Sequence, residues 1–87
     1  MVIANQAEQL HVEQQLLSKA DSDIEQGWTR LRDQEDLLSW LQATGRDTRE
    51  AERLMQLMKS TLIEWERHRG LIEQRVAYLQ RQLSQLH

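Results

Sequence analysis

Cysteine and proline are both missing from the 87 residues of this chain. The first absence rules out disulfide staples and thiolate metal sites; the second means that nothing forces a helix to break. Only three glycines occur, Gly27, Gly45 and Gly70, each isolated, so there is no glycine-rich loop to cradle a phosphate. Phenylalanine is absent, strand formers are sparse, and nothing alternates with period two long enough to suggest a sheet. No run approaches the roughly eighteen apolar residues of a membrane span. The opening MVIANQAEQL has neither a basic leader nor an apolar core, so no secretory signal is expected and the expected location is the cytoplasm.

What is abundant is glutamine, glutamate, leucine and arginine, the composition of long exposed helices and coiled coils. The helical pattern is interrupted once, at Thr44-Gly45-Arg46-Asp47-Thr48. Gly45 suits the left-handed position just past a helix end. Asp47 is the expected N-cap of the next helix, with Glu50 three residues on to close a capping box and Thr48 as the competing cap. A stop followed at once by a start favours two helices over one continuous rod of about 125 Å. The expectation is therefore all-α: one helical hairpin over residues 1–87, with a helix at about 3–43, a turn at about 44–47 and a helix at about 48–86.

Each half carries a heptad pattern. In the first, Ile3, Leu10, Leu17, Ile24, Leu31 and Leu38 recur every seven residues, as d positions do. The matching a column, Ala7, Gln14, Asp21, Trp28 and Glu35, is mixed, and Ala20, Gly27 and Leu41 widen the stripe on one flank. Ser22 and Glu25 form a second capping-box pattern, but the stripe keeps its phase through it, so the helix is expected to continue. The second half is cleaner, with d residues Ala51, Met58, Trp65, Ile72, Leu79 and Leu86 and a residues Met55, Leu62, Arg69, Val76 and Leu83.

An antiparallel hairpin turning near residue 46 pairs residues whose numbers sum to about 92, at equal rise per residue on both helices. That rule places Trp28 level with Trp65, predicting an aromatic layer, and Arg69 beside Asp21 and Asp23, a pair expected to set register more than stability. Charge supports the hairpin. Residues 1–44 hold three Lys and Arg against eight Asp and Glu, and residues 45–87 hold eight against six, so the two halves attract.

Chemistry-bearing constellations are thin. Glu8 and His11 have the Glu-x-x-His spacing of di-iron bundles, which need two such copies. Glu64 and His68 would supply only half of a metal site. His11, His68 and His87 are expected to be exposed, and the serines have no convergent base to activate them. No metal, no cofactor and no enzymatic activity are expected. Two surface features remain. Leu54, Leu57, Leu71 and Tyr78 lie beside the second seam, and with Leu37 and Trp40 near the turn they exceed what one hairpin can cover. They predict a protein interface, either a homodimer closing a four-helix bundle or a groove for the helix of another protein. Arg67, Arg69, Arg75 and Arg81 are the one concentration of positive charge and the alternative, a phosphate-contacting stripe of a small nucleic-acid-binding regulator. A net charge of −3 weighs against that alternative.

The run from Leu17 to Ile72 resembles a group of short helical-hairpin proteins from alphaproteobacteria. The likeness is carried by Ala20-Asp21, Ile24, Gly27, Gln34, the Gly45-x-Asp47-Thr48-x-x-Ala51-Glu52-x-Leu54 turn, Thr61-Leu62, Trp65 and His68-Arg69. It implies a bacterial, intracellular hairpin and carries no catalytic role. Taken together, these readings predict a non-catalytic interaction or scaffold module that self-associates through apolar helix faces.

Overall fold

A computed structural model describes residues 2–85, with side chains from residue 5 onward. Ile3, as a seam side chain, and Leu86 and His87 therefore lie outside the described residues. Two helices account for nearly all of the rest, α1 (Val2–Ala43) and α2 (Arg49–Ser84). They fold back on each other into a rod of 66 × 15 × 15 Å. The 42 residues of α1 set the length of that rod at about 1.5 Å of rise each. No strand occurs among the described residues, and α1 passes without a break through the Ser22–Glu25 pattern.

The turn follows from backbone satisfaction. Gly45 takes φ 68°, the Gly45 N–H donates to the Gln42 carbonyl at 3.2 Å, and the Arg46 N–H reaches back to Leu41 at 2.8 Å. These two bonds make a Schellman motif, which satisfies carbonyls that the end of a helix leaves open. The Arg46 guanidinium lies 4.8 Å from the centroid of the Trp40 ring, a cation–π contact. At the start of α2 the roles are divided differently from the expected capping box. Thr48 occupies the N-cap without a side-chain cap bond, and Asp47, one residue earlier, accepts the Arg49 N–H at 3.0 Å. Glu52, not Glu50, meets the Thr48 hydroxyl, at 3.3 Å. The Asp47 carboxylate also receives the Arg49 side chain at 2.8 Å, which holds its pKa below the ordinary value.

The α2 seam follows the expected columns except at Trp65, a d position that stays 38% exposed. Ala51, Leu62, Ile72, Val76 and Leu79 are buried, and Met55, Met58 and Leu83 are half-buried. The d column of α1 also faces the seam, with Leu31 only 3% exposed. The second column of α1 is a correction. Glu13, Ala20, Gly27, Gln34 and Leu41 turn inward, while Ala7, Gln14, Asp21, Trp28 and Glu35 stay exposed. Gly27 is the physical reason. A Cβ there would fall 2.6 Å from Leu62 Cδ2, inside contact distance, so the Leu62 side chain packs directly on the bare backbone that the glycine leaves open. The Trp28–Trp65 layer is a second correction. Trp65 lies against Gly27, with Cζ3 3.4 Å from the same Cβ position. Trp28 lies one residue further round α1 and lines a separate groove with Ile63 and Lys59.

Polar side chains fix the register. The buried Gln34 amide donates to the Ala51 carbonyl at 3.2 Å. Arg69 bridges the helices, as expected, through a hydrogen bond to Asp21, and its other arm reaches Glu73 at 2.6 Å. Those two carboxylates, Asp21 foremost, raise the pKa of the Arg69 guanidinium. Near the open end Arg75 Nε lies 3.3 Å from Glu13 Oε2. That oxygen is buried and makes no hydrogen bond, so the contact is one of charge only.

Candidate functional site

A hairpin has two broad sides, and in this one they differ in chemistry. Relative to the seam, the flank of α2 that repeats at three and four residues through Leu54, Leu57, Thr61, Glu64, His68, Leu71, Arg75 and Tyr78 lies on the side of Gly27 and Arg30. Arg30, Gly27, Leu54, Leu57, Met58, Thr61 and Trp65 together line an open groove of about 210 Å³ there. On α1 the same side carries Leu16, Asp23, Arg30 and Leu37, with Val12 and Trp40 further round. The opposite side shows Trp28 and Ile63 amid Glu35, Lys59 and Glu66, and further along its length Glu52, Gln56 and Glu73.

All six side chains expected to form an interface are exposed: Leu37 45%, Trp40 50%, Leu54 44%, Leu57 60%, Leu71 51% and Tyr78 54%. Leu54, Leu57 and Trp65 border the groove beside Gly27, and helical spacing carries that side on to Leu71 and Tyr78 in α2 and to Leu16 and Leu37 in α1, with Val12 and Trp40 next to them; Val12, Leu16 and Trp65 are exposed as well. Val12 and Leu16 were missed because they belong to no seam column. The signal that finds them is a second apolar stripe on α1, repeating at Val12–Leu16 and Leu37–Trp40. The chain exposes 6757 Å² in all. A compact protein of its mass would expose about 5,400 Å², so the hairpin shows roughly 1,350 Å² more than a globule of equal size.

Two of the four arginines of the alternative surface are paired within the hairpin. Arg69 is bound to Asp21 and Glu73, and Arg75 contacts Glu13. Arg67 and Arg81 remain exposed. Two of the four cations are thus committed to holding α1 against α2 rather than presented in a row, where contact with successive phosphates would need them.

Among the described residues no group of three or more His, Cys, Asp or Glu side chains is placed to hold a metal ion. No helix among them is long and apolar enough to cross a membrane. Glu64 and His68 lie one turn apart on the exposed flank of α2, far along the rod from Glu8 and His11. No protein-family model matches the chain, and neither does any curated protein or solved structure.

Proposed function

We propose that this protein is a non-catalytic interaction module whose Gly27 side associates with a second copy of the chain to close a dimeric four-helix bundle. The observation that carries the reading is the one-sided distribution of large apolar side chains. Nine of them are exposed on one side of the rod, whereas the other side offers two among charges. Exposed apolar area on this scale marks an interaction surface, and burying it is the main driving force that association has.

The test is to place a charge on each side in turn. Leu57→Glu and Leu71→Glu introduce a carboxylate into the apolar side, and Gln56→Glu introduces one on the opposite side. Light scattering coupled to size exclusion should show the wild type and Gln56→Glu at twice the chain mass of 10.4 kDa, with Leu57→Glu and Leu71→Glu shifted toward the single chain. Equal masses for all four proteins would refute the assignment.

A further inference from the structure

The exposed stripes of α1 have an order that associates them with themselves. One runs Leu16, Asp23, Arg30, Leu37 and the next runs Val12, Lys19, Gln26, Asp33, Trp40, each in steps of seven. Read in reverse, each stripe keeps its apolar ends and exchanges the signs of its charges. Two copies of α1 laid antiparallel about a centre at Gln26 therefore match throughout. Leu16 meets the partner's Leu37, and Val12 meets the partner's Trp40. Asp23 meets the partner's Arg30, and Lys19 meets the partner's Asp33. Neither stripe is used by the hairpin's own seam: Val12, Leu16, Leu37 and Trp40 are all exposed. Lys19 bonds only its neighbour one turn on, Asp23, at 2.8 Å, and that pair is exposed.

The flank of α2 has a matching centre. A centre at Trp65 brings Leu57 near the partner's Leu71, Leu54 near the partner's Tyr78 and Glu64 near the partner's His68, each pair two residues, about 3 Å, out of level. The two centres need not have coincided, but Trp65 rests against Gly27, the residue beside Gln26. One axis therefore serves both helices.

Building on the self-association argued above, the geometry points to a specific dimer: a two-fold axis perpendicular to the helices, crossing at Gln26–Gly27 and Trp65, with the turns of the two hairpins at opposite ends. An isologous interface of this kind uses each contact twice, so Asp23–Arg30 and Lys19–Asp33 supply four ion pairs that set direction. The arrangement with both turns at one end places Leu16 level with the partner's Arg75 and Arg30 level with the partner's Thr61, and forfeits those matches. Opposite charges in register select one pairing over others more than they add affinity.

The cysteine-free chain allows a single spin label at Gln42→Cys, exposed in the last turn of α1. With turns at opposite ends, the labels lie sixteen residues either side of the axis, about 50 Å apart at 1.5 Å per residue. With turns together they lie within about 25 Å, a little beyond the spacing of packed helices. A pulsed dipolar distance near 50 Å is the expected result. A short distance overturns the axis and leaves self-association standing, and the absence of intermolecular coupling overturns both. An independent arm uses charge. Arg30→Asp and Asp23→Arg should each weaken homodimerisation by about tenfold, and an equimolar mixture of the two should form a heterodimer at close to wild-type strength, because one contact is then native, the other reversed, and both are attractive. A mixture no tighter than either variant alone would refute the Asp23–Arg30 pairing.

Discussion

The contact of Leu62 and Trp65 with Gly27 makes the sharpest stability prediction. Gly27→Ala gains helix propensity of about 0.8–1 kcal/mol, but its methyl group would stand 2.6 Å from Leu62 Cδ2 and 3.4 Å from Trp65 Cζ3. Leu62 is 3% exposed but borders a groove on either side of the seam, so the clash is resolved by turning the leucine out of its seam position or by separation of the helices, at about 1–3 kcal/mol. Gly70 provides the internal control, because a Cβ there meets nothing within 4 Å. Gly70→Ala should simply gain the propensity. The difference between the two alanine variants removes the propensity term and leaves overpacking, on the order of 2 kcal/mol. For a chain of this size that corresponds to a gap of about 10 °C in melting midpoint. Circular-dichroism melts at one fixed protein concentration read it directly, the concentration being fixed because association shifts the midpoint. If Gly27→Ala stabilises as much as Gly70→Ala, the helices do not meet at Gly27 and the register built on that contact is wrong.

Other perturbations address the turn, the cap and the bridge. Gly45→Ala has open space around it but must hold φ 68°, so it should lose about 1–2 kcal/mol in the same melts; a neutral result would mean that the turn is not left-handed. Arg69→Leu removes the bridge to Asp21 and Glu73 and extends the apolar seam, so stability should stay level or rise while the dimerisation constant changes. A large loss of stability with association unaltered would contradict a register role. The Asp47 pKa is depressed, first by the Arg49 side chain and then by its N–H. The contribution of this cap is therefore fully present above the ordinary carboxylate pKa and is lost as pH falls through the lower folded value. In a carboxyl-detected NMR titration Asp47 should titrate at higher pH in Arg49→Gln than in the wild type, and an unchanged midpoint would remove Arg49 as the cause.

Much of the hairpin was legible because its signals are local or strongly apolar. Gly45 announced the turn, the leucines at seven-residue spacing fixed one column of α1, and α2 showed both of its columns because Met55, Leu62, Val76 and Leu83 are large. The pairing arithmetic found Arg69 opposite Asp21. What misled was size. In α1 the inner column contains Ala20 and Gly27, which contribute little hydrophobicity yet permit close approach, whereas Trp28 next to Gly27 is large and sits outside the seam. A pattern weighted by apolar bulk selects the tryptophan, but packing selects the glycine. The cap was misassigned by one residue because Asp47 and Thr48 can both accept the first free N–H groups, and the choice between them depends on backbone angles that the residue types leave open. Of the interface residues, those on α2 were found as surplus apolar bulk. Val12 and Leu16 emerged only once the seam was placed and the outward stripes of α1 could be read as a set.

Self-association through the Gly27 side is the claim on which the functional reading stands, and sedimentation equilibrium tests it most directly. The unmodified chain, examined over a wide concentration range at low and high salt, should fit a monomer–dimer equilibrium converging on twice 10.4 kDa. The dimer should persist at high salt, because apolar burial drives it and its exposed ion pairs are screened. A folded chain that stays at 10.4 kDa across the whole range would contradict the account.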